Sequence, residues 1–149
     1  KAILSHVGAW SAKAEQMAAA TYLRDTAAVN SYLNNIKSEI NYRLSAFHSG
    51  IQNLKKKGYA VDSIEPQAAI YLTVKMDLIG KLTSEGQRLN NIEEVYQYLL
   101  NEANTAIVPF YCFGATKDTP WFRLSVGSCD KHEISDVLEK IEKALSKLQ

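Results

Sequence analysis

Ala69-Ile70-Tyr71-Leu72-Thr73-Val74-Lys75-Met76 is rich in β-branched, aromatic and aliphatic side chains, and Pro66 stands just outside it, where it removes no ladder donor. Read as a strand, this stretch decides the class of the molecule, because the pattern before it is helical. Val29, Leu33, Ile36, Ile40, Leu44, Phe47, Ile51 and Leu54 recur at steps of three and four, which defines one face of a long helix from about Thr26 to Lys56. At about 1.5 Å per residue it extends on the order of 45 Å, longer than a small domain needs for its own core. A helix linking two parts of a larger fold suits that length; a coiled-coil dimer is the competing reading. Lys55, Lys56 and Lys57 put cations at its negative end, and Gly58 stops it.

Upstream, Ser11 can cap a shorter alanine-rich helix through about Arg24, with a break or kink at Arg24-Asp25-Thr26. Downstream, residues 77–90 are polar, contain Gly80 and Gly86, and read as a surface loop. Asn91-Ile92-Glu93-Glu94 is a capping-box-like start for a helix carrying Val95, Tyr96, Leu99, Leu100 and Ala103. Ala106-Ile107-Val108 follows as a short strand that Pro109 ends, and Trp121 through Val126 form a third. Asp130-Lys131-His132-Glu133 then caps a last amphipathic helix with Ile134, Val137, Leu138, Ile141, Leu145 and Leu148 on its apolar face. The expected class is α+β: a small, mainly antiparallel sheet of about three strands, covered by helices on one face and preceded by the long helix.

With 149 residues and 46% hydrophobic composition, the chain is long enough for one core and too short for two. Seventeen basic against 16 acidic residues give a net charge of +1, which supplies no broad field for nucleic acid or anionic lipid. Any anion recognition must be local. Cys112 and Cys129 have neither the density of a disulfide scaffold nor zinc-site spacing; they read as free thiols in a reducing compartment, Cys112 buried and inert beside its aromatic neighbours. No apolar run reaches the roughly 18 residues of a membrane span, and Lys1-Ala2-Ile3-Leu4 lacks a signal-peptide layout, so a cytoplasmic, soluble protein is expected. A first residue of lysine, already entering an apolar turn, reads as part of a larger chain.

His6, His48 and His132 lie far apart, without partners at ligand or triad spacing; solvent-facing or structural roles are expected. No nucleotide-binding or metal-binding motif occurs, so no catalytic, cofactor-binding or metal residue is assigned within the chain. Arg123 stands apart, inside Trp121-Phe122-Arg123-Leu124-Ser125-Val126-Gly127. A guanidinium among apolar neighbours is costly to desolvate unless an anion or carbonyls meet it, and its fork matches a carboxylate in two-point contact. Spacing alone leaves a snorkelling arginine and an anion hook both open. Tyr71 reads as core or cross-strand packing.

The order Pro66-Gln67-Ala68-Ala69-Ile70-Tyr71, then Ala106-Ile107-Val108-Pro109, Phe113-Gly114, Phe122-Arg123-Leu124-Ser125 and a terminal amphipathic helix resembles the C-terminal part of class I/II aminotransferases of fold type I. The likeness covers nearly the whole chain. It implies a pyridoxal 5'-phosphate enzyme that moves an amino group between an amino acid such as aspartate and a 2-keto acid, with residues 1–149 as the small domain plus the long interdomain helix. It also implies that Arg123 binds the substrate α-carboxylate, that Tyr71 is structural or a pocket wall, and that the full-length parent is a homodimer. Ser5-His6-Val7-Gly8-Ala9-Trp10 with Gln16 is similar to the segment leading into that helix, and would neighbour the partner's site. Ala68 and Phe110 depart from the glycines common in the family, the second just before the arginine strand. The family's Schiff-base lysine, its aspartate on the pyridine nitrogen and its phosphate-binding residues lie upstream, so this stretch alone is expected to be inactive. A lyase or decarboxylase of the same fold, or a non-catalytic module sensing a small carboxylate, are the alternatives.

Overall fold

The computed structural model describes Ile3, Gly8 and residues 12–149; Ser11, His6 and the Ser5 to Trp10 segment other than Gly8 lie outside the described residues. The chain divides into two compact units, residues 1–38 and 39–149. In the first, helix α1 (Lys13–Arg24) buries no residue, and Met17, Tyr22 and Leu23 are exposed. Helix α2 (Thr26–Lys56) begins where the sequence breaks, because Asp25 Oδ1 accepts the Ala28 N–H at 3.0 Å and caps the new helix. Its buried residues, Leu44, Phe47, Ile51 and Leu54, all belong to the second unit. The apolar stripe is thus used for the core over its second half only.

The second unit is an α+β layer. Strands β1 (Val61–Ser63), β2 (Tyr71–Met76), β3 (Val108–Pro109) and β4 (Trp121–Ser125) form one antiparallel sheet in the order β1-β2-β4-β3. β1 is a strand beyond the three expected. It contributes only Val61 as an apolar core residue, too short a pattern to read, yet its ladder sets Val61 opposite Met76. β2 starts at Tyr71, later than residue 69, because Ala69 adopts φ 65°, in the left-handed region that breaks an extended run. β3 starts at Val108, later than the expected Ala106, and Pro109 is its last residue, paired opposite Phe122; β3 is an edge strand, where a missing N–H costs no ladder bond.

Alternation along the strands separates two faces. Leu72, Val74, Met76, Phe122 and Leu124 are buried, while Tyr71, Thr73, Lys75, Arg123 and Ser125 alternate with them on the opposite face. The buried face joins one core cluster with α2, α3 (Ile92–Ala103) and α4 (Ile134–Ser146). α3 starts at Asn91, whose Oδ1 accepts the Glu94 N–H at 2.9 Å, while the Glu94 carboxylate accepts the Asn90 N–H at 2.8 Å. Tyr98 donates its hydroxyl to Ala144 O at 2.7 Å and locks α3 to α4. A Cβ added at Gly50 would stand 2.2 Å from a Leu138 methyl, so glycine is what lets α4 seat against α2.

Residues 77–90 are not merely a polar surface loop. Leu78 and Leu89 are buried in the core, Leu82 bridges Arg88, and Leu82 also exchanges two backbone hydrogen bonds with Gln149. Two anchoring leucines eleven positions apart carry no periodic signal, which is why the stretch reads as loop.

Candidate functional site

Arg123 lies at the centre of the sheet's outer face, opposite Thr73 on β2 and Val108 on β3. Tyr71 is its diagonal neighbour, and the guanidinium carbon sits 4.3 Å from the Tyr71 ring centroid. On β3 the chain turns directly into a short 3₁₀ helix, Phe110–Phe113, which delivers the Phe113 ring to 4.2 Å from the same carbon. Each cation–π contact is worth about 0.5–1 kcal/mol at a partly exposed site. Ring faces meet the charge without consuming N–H donors. Among the described residues, no hydrogen bond or ion pair engages the Arg123 side chain, so its donor fork is held in place and unclaimed. Tyr71 is 39% exposed and Phe113 53%, which leaves the cluster open to a small ligand.

The 3₁₀ turn is itself anchored. Tyr111 donates its hydroxyl to a Glu93 carboxylate oxygen on α3 at 2.5 Å. That bond pushes the Tyr111 phenol up to about 12 and holds Glu93 below the ordinary carboxylate range. Gly114 closes the turn at φ 91°.

Other candidates resolve differently. Cys112 is exposed, not buried: in the 3₁₀ turn it is its neighbour Tyr111 that packs against the core. Cys129 is also free, and burial raises its thiol pKa, which suits an inert side chain. His48 is structural: its Nδ1 shares a 2.8 Å hydrogen bond with the buried Ser63 hydroxyl, tying α2 to β1. His132 is exposed, and its backbone N–H is bound by Asp130 Oδ1 at 3.0 Å. His6 lies outside the described residues. A polar cavity of about 350 Å³ lined by Thr83, Glu94, Gln97 and Glu102, among others, contains none of Arg123, Tyr71 and Phe113. No cluster among the described residues has the make-up of a metal site. No periodic pattern marks Phe113 or Phe110, because a four-residue turn has no period to detect; only the family resemblance drew attention to them, Phe113 beside Gly114 and Phe110 as a departure from glycine.

The family model for aminotransferase class I and II matches residues 5–141. The chain belongs to this family. Curated aminotransferase relatives include a probable aspartate/prephenate aminotransferase of Rickettsia bellii, 34% identical over 85 residues, and an aspartate aminotransferase of Rhizobium meliloti, 31% identical over 93 residues. These matches cover 56% and 60% of this chain but only 20% and 22% of the relatives, so the chain spans about a fifth of their length. The crystal structure of aspartate aminotransferase from Rhizobium meliloti aligns with a TM-score of 0.68 at 26% identity, covering 79% of this chain and 28% of that one. An aromatic aminotransferase from Pyrococcus horikoshii gives the same TM-score at 21% identity over 88% of this chain and 31% of its own, a likeness of fold. The α+β layer is that of the C-terminal part of an aminotransferase.

Class I and II aminotransferases imply pyridoxal phosphate, which needs one desolvated lysine in a phosphate-binding cradle. The described lysines do not fit that role. All are exposed or half-buried, and Lys55, Lys57, Lys75, Lys131, Lys140 and Lys147 are ion-paired at the surface. No helix among the described residues is long and apolar enough to cross a membrane.

Proposed function

We propose that the full-length protein is a homodimeric pyridoxal-phosphate-dependent aminotransferase, exchanging the amino group of an amino acid such as aspartate with a 2-keto acid. In this reading residues 1–149 form its small domain and long interdomain helix, and the cofactor's lysine, pyridine partner and phosphate ligands are supplied from outside this stretch. Arg123 holds the substrate α-carboxylate. The observation that carries the assignment is the guanidinium fixed over two aromatic rings with its donors unclaimed. A carboxylate approaching that fork gains two parallel, charge-assisted hydrogen bonds, and only arginine presents them in one plane. Two contacts fix the direction of the amino acid as well as its distance. The Cα bond that must break is thereby aligned before reaction, an entropic contribution that a single contact does not make. Tyr71 and Phe113 wall the carboxylate from solvent on both sides of the arginine. The relative in Rhizobium meliloti is named for aspartate, which supports the choice of substrate.

The test is Arg123→Ala in the full-length protein. The variant should keep the absorbance band of bound pyridoxal phosphate while kcat/KM for aspartate falls by about 150-fold or more, the equivalent of two lost charge-assisted hydrogen bonds at about 1.5 kcal/mol each or more. Unchanged amino-acid kinetics would remove Arg123 from the site.

A further inference from the structure

The Phe113 ring that covers Arg123 is more than half exposed, and it stands on a turn of only four residues. A ring so placed swings freely unless something holds it. A 3₁₀ helix has three residues per turn, so side chains at i and i+3 eclipse one another. Phe110 and Phe113 are that pair, with ring centroids 6.4 Å apart and planes at 88°, an edge-to-face contact. Phe110 is itself fixed from two directions. It follows Pro109 directly, which is registered against Phe122 in the sheet, and its carbonyl accepts the N–H groups of Gly114 and Ala115 as the turn closes. Of the two residues between them, Tyr111 reaches away to Glu93 on α3.

We propose that Phe110 is a positioning residue for the carboxylate site. Its ring edge pins Phe113 over Arg123, so the guanidinium meets a carboxylate already oriented and loses little side-chain freedom on binding. The inference rests on the assignment of Arg123 to the substrate carboxylate. It adds that a residue with no substrate contact sets the affinity of that contact, through a chain of rings from Phe110 to Phe113 to Arg123. Freezing one such side chain at binding costs about 0.5–1.5 kcal/mol, so loss of the support raises KM by about 2- to 13-fold.

The experiment uses the full-length protein with bound cofactor, aspartate as donor and 2-oxoglutarate as acceptor. Phe110→Gly should raise KM for aspartate by that factor with a smaller change in kcat, and Phe110→Tyr, which keeps the ring, should restore the parent value. In a double-mutant cycle, Phe110→Gly should have no further effect once Phe113 is replaced by Leu, because the support then has nothing to hold. Phe110→Leu, which keeps apolar bulk without a ring edge, reads the same effect if the glycine variant melts early. An equal rise in KM with and without Phe113 would show that Phe110 acts by another route and overturn the proposal. So would an unchanged KM in Phe110→Gly while Arg123→Lys raises it, a result that leaves the carboxylate assignment standing. If Arg123→Lys leaves KM unchanged as well, the carboxylate assignment fails and the proposal with it.

Discussion

Asp62 shows how one side chain ties the long helix to the sheet edge. Lys55 Nζ reaches one of its oxygens at 2.6 Å, and Gln52 Nε2 donates to the other at 2.8 Å, as does the Ser63 N–H, also at 2.8 Å. Together they hold the Asp62 carboxyl at about 2, against an ordinary 3.8. A carboxylate whose pKa is lowered on folding adds stability at pH values above its unfolded pKa, and that stability is lost as pH falls from about 4 towards 2. Because Lys55 is half exposed, solvent screening reduces the contribution to about 1 kcal/mol. Asp62→Asn should therefore lower the urea midpoint at pH 6 and leave it nearly unchanged at pH 2; an equal drop at both values would deny the charge its role. At this scale the residue pattern was legible for Arg123 and silent for its surroundings, which only the family resemblance touched, through Tyr71 as a pocket wall. Strict alternation places residue 123 opposite Phe122 and Leu124, so the outward arginine follows from period two alone. The rings of Tyr71 and Phe113 come from 52 residues upstream and from an irregular turn, and no local pattern predicts that they converge.

Among the elements, α2 was legible from end to end because 31 residues carry an uninterrupted three-four stripe. The same stripe hid a division of labour: Leu33 is 40% exposed whereas Ile51 is fully buried. Short elements escaped for the opposite reason. β1 and the 3₁₀ turn have three and four residues, too few for a repeat to be recognised as periodic. Glycine at position 50 is a different kind of signal, visible in sequence but without meaning until α4 is placed. In an isolated helix, replacing it would help by up to about 1 kcal/mol. Against α4 the balance reverses, because a branched side chain must displace Leu138, and overpacking costs about 1–3 kcal/mol. Gly50→Val should lower stability by about 1–2 kcal/mol in thermal melts, and pairing it with Leu138→Ala should recover part of the loss. No recovery in the double variant would mean that the strain lies elsewhere in α2.

For the whole molecule, the distribution of chemistry follows from what the sheet's two faces can do. The inner face is committed to the core with α2, α3 and α4, and the outer face carries the arginine, its two rings and the strand residues beside them. Such a face can orient a carboxylate but offers no amine suited to a Schiff base, since the described lysines are spent on surface ion pairs or left in solvent. Orientation and electron withdrawal are therefore expected to be separable. The 149-residue chain on its own, titrated with pyridoxal phosphate, should give only the weak, multi-site absorbance change of solvent-exposed amines. The full-length protein should give one stoichiometric band. Borohydride reduction followed by peptide mapping distinguishes the cases, because it fixes the cofactor covalently to whichever lysine held it. A single modified lysine within residues 12–149 would relocate the cofactor into this chain and overturn the division of roles. Modification confined to a lysine outside that range would leave this chain with the task proposed for Arg123, which is to hold the substrate by its carboxylate.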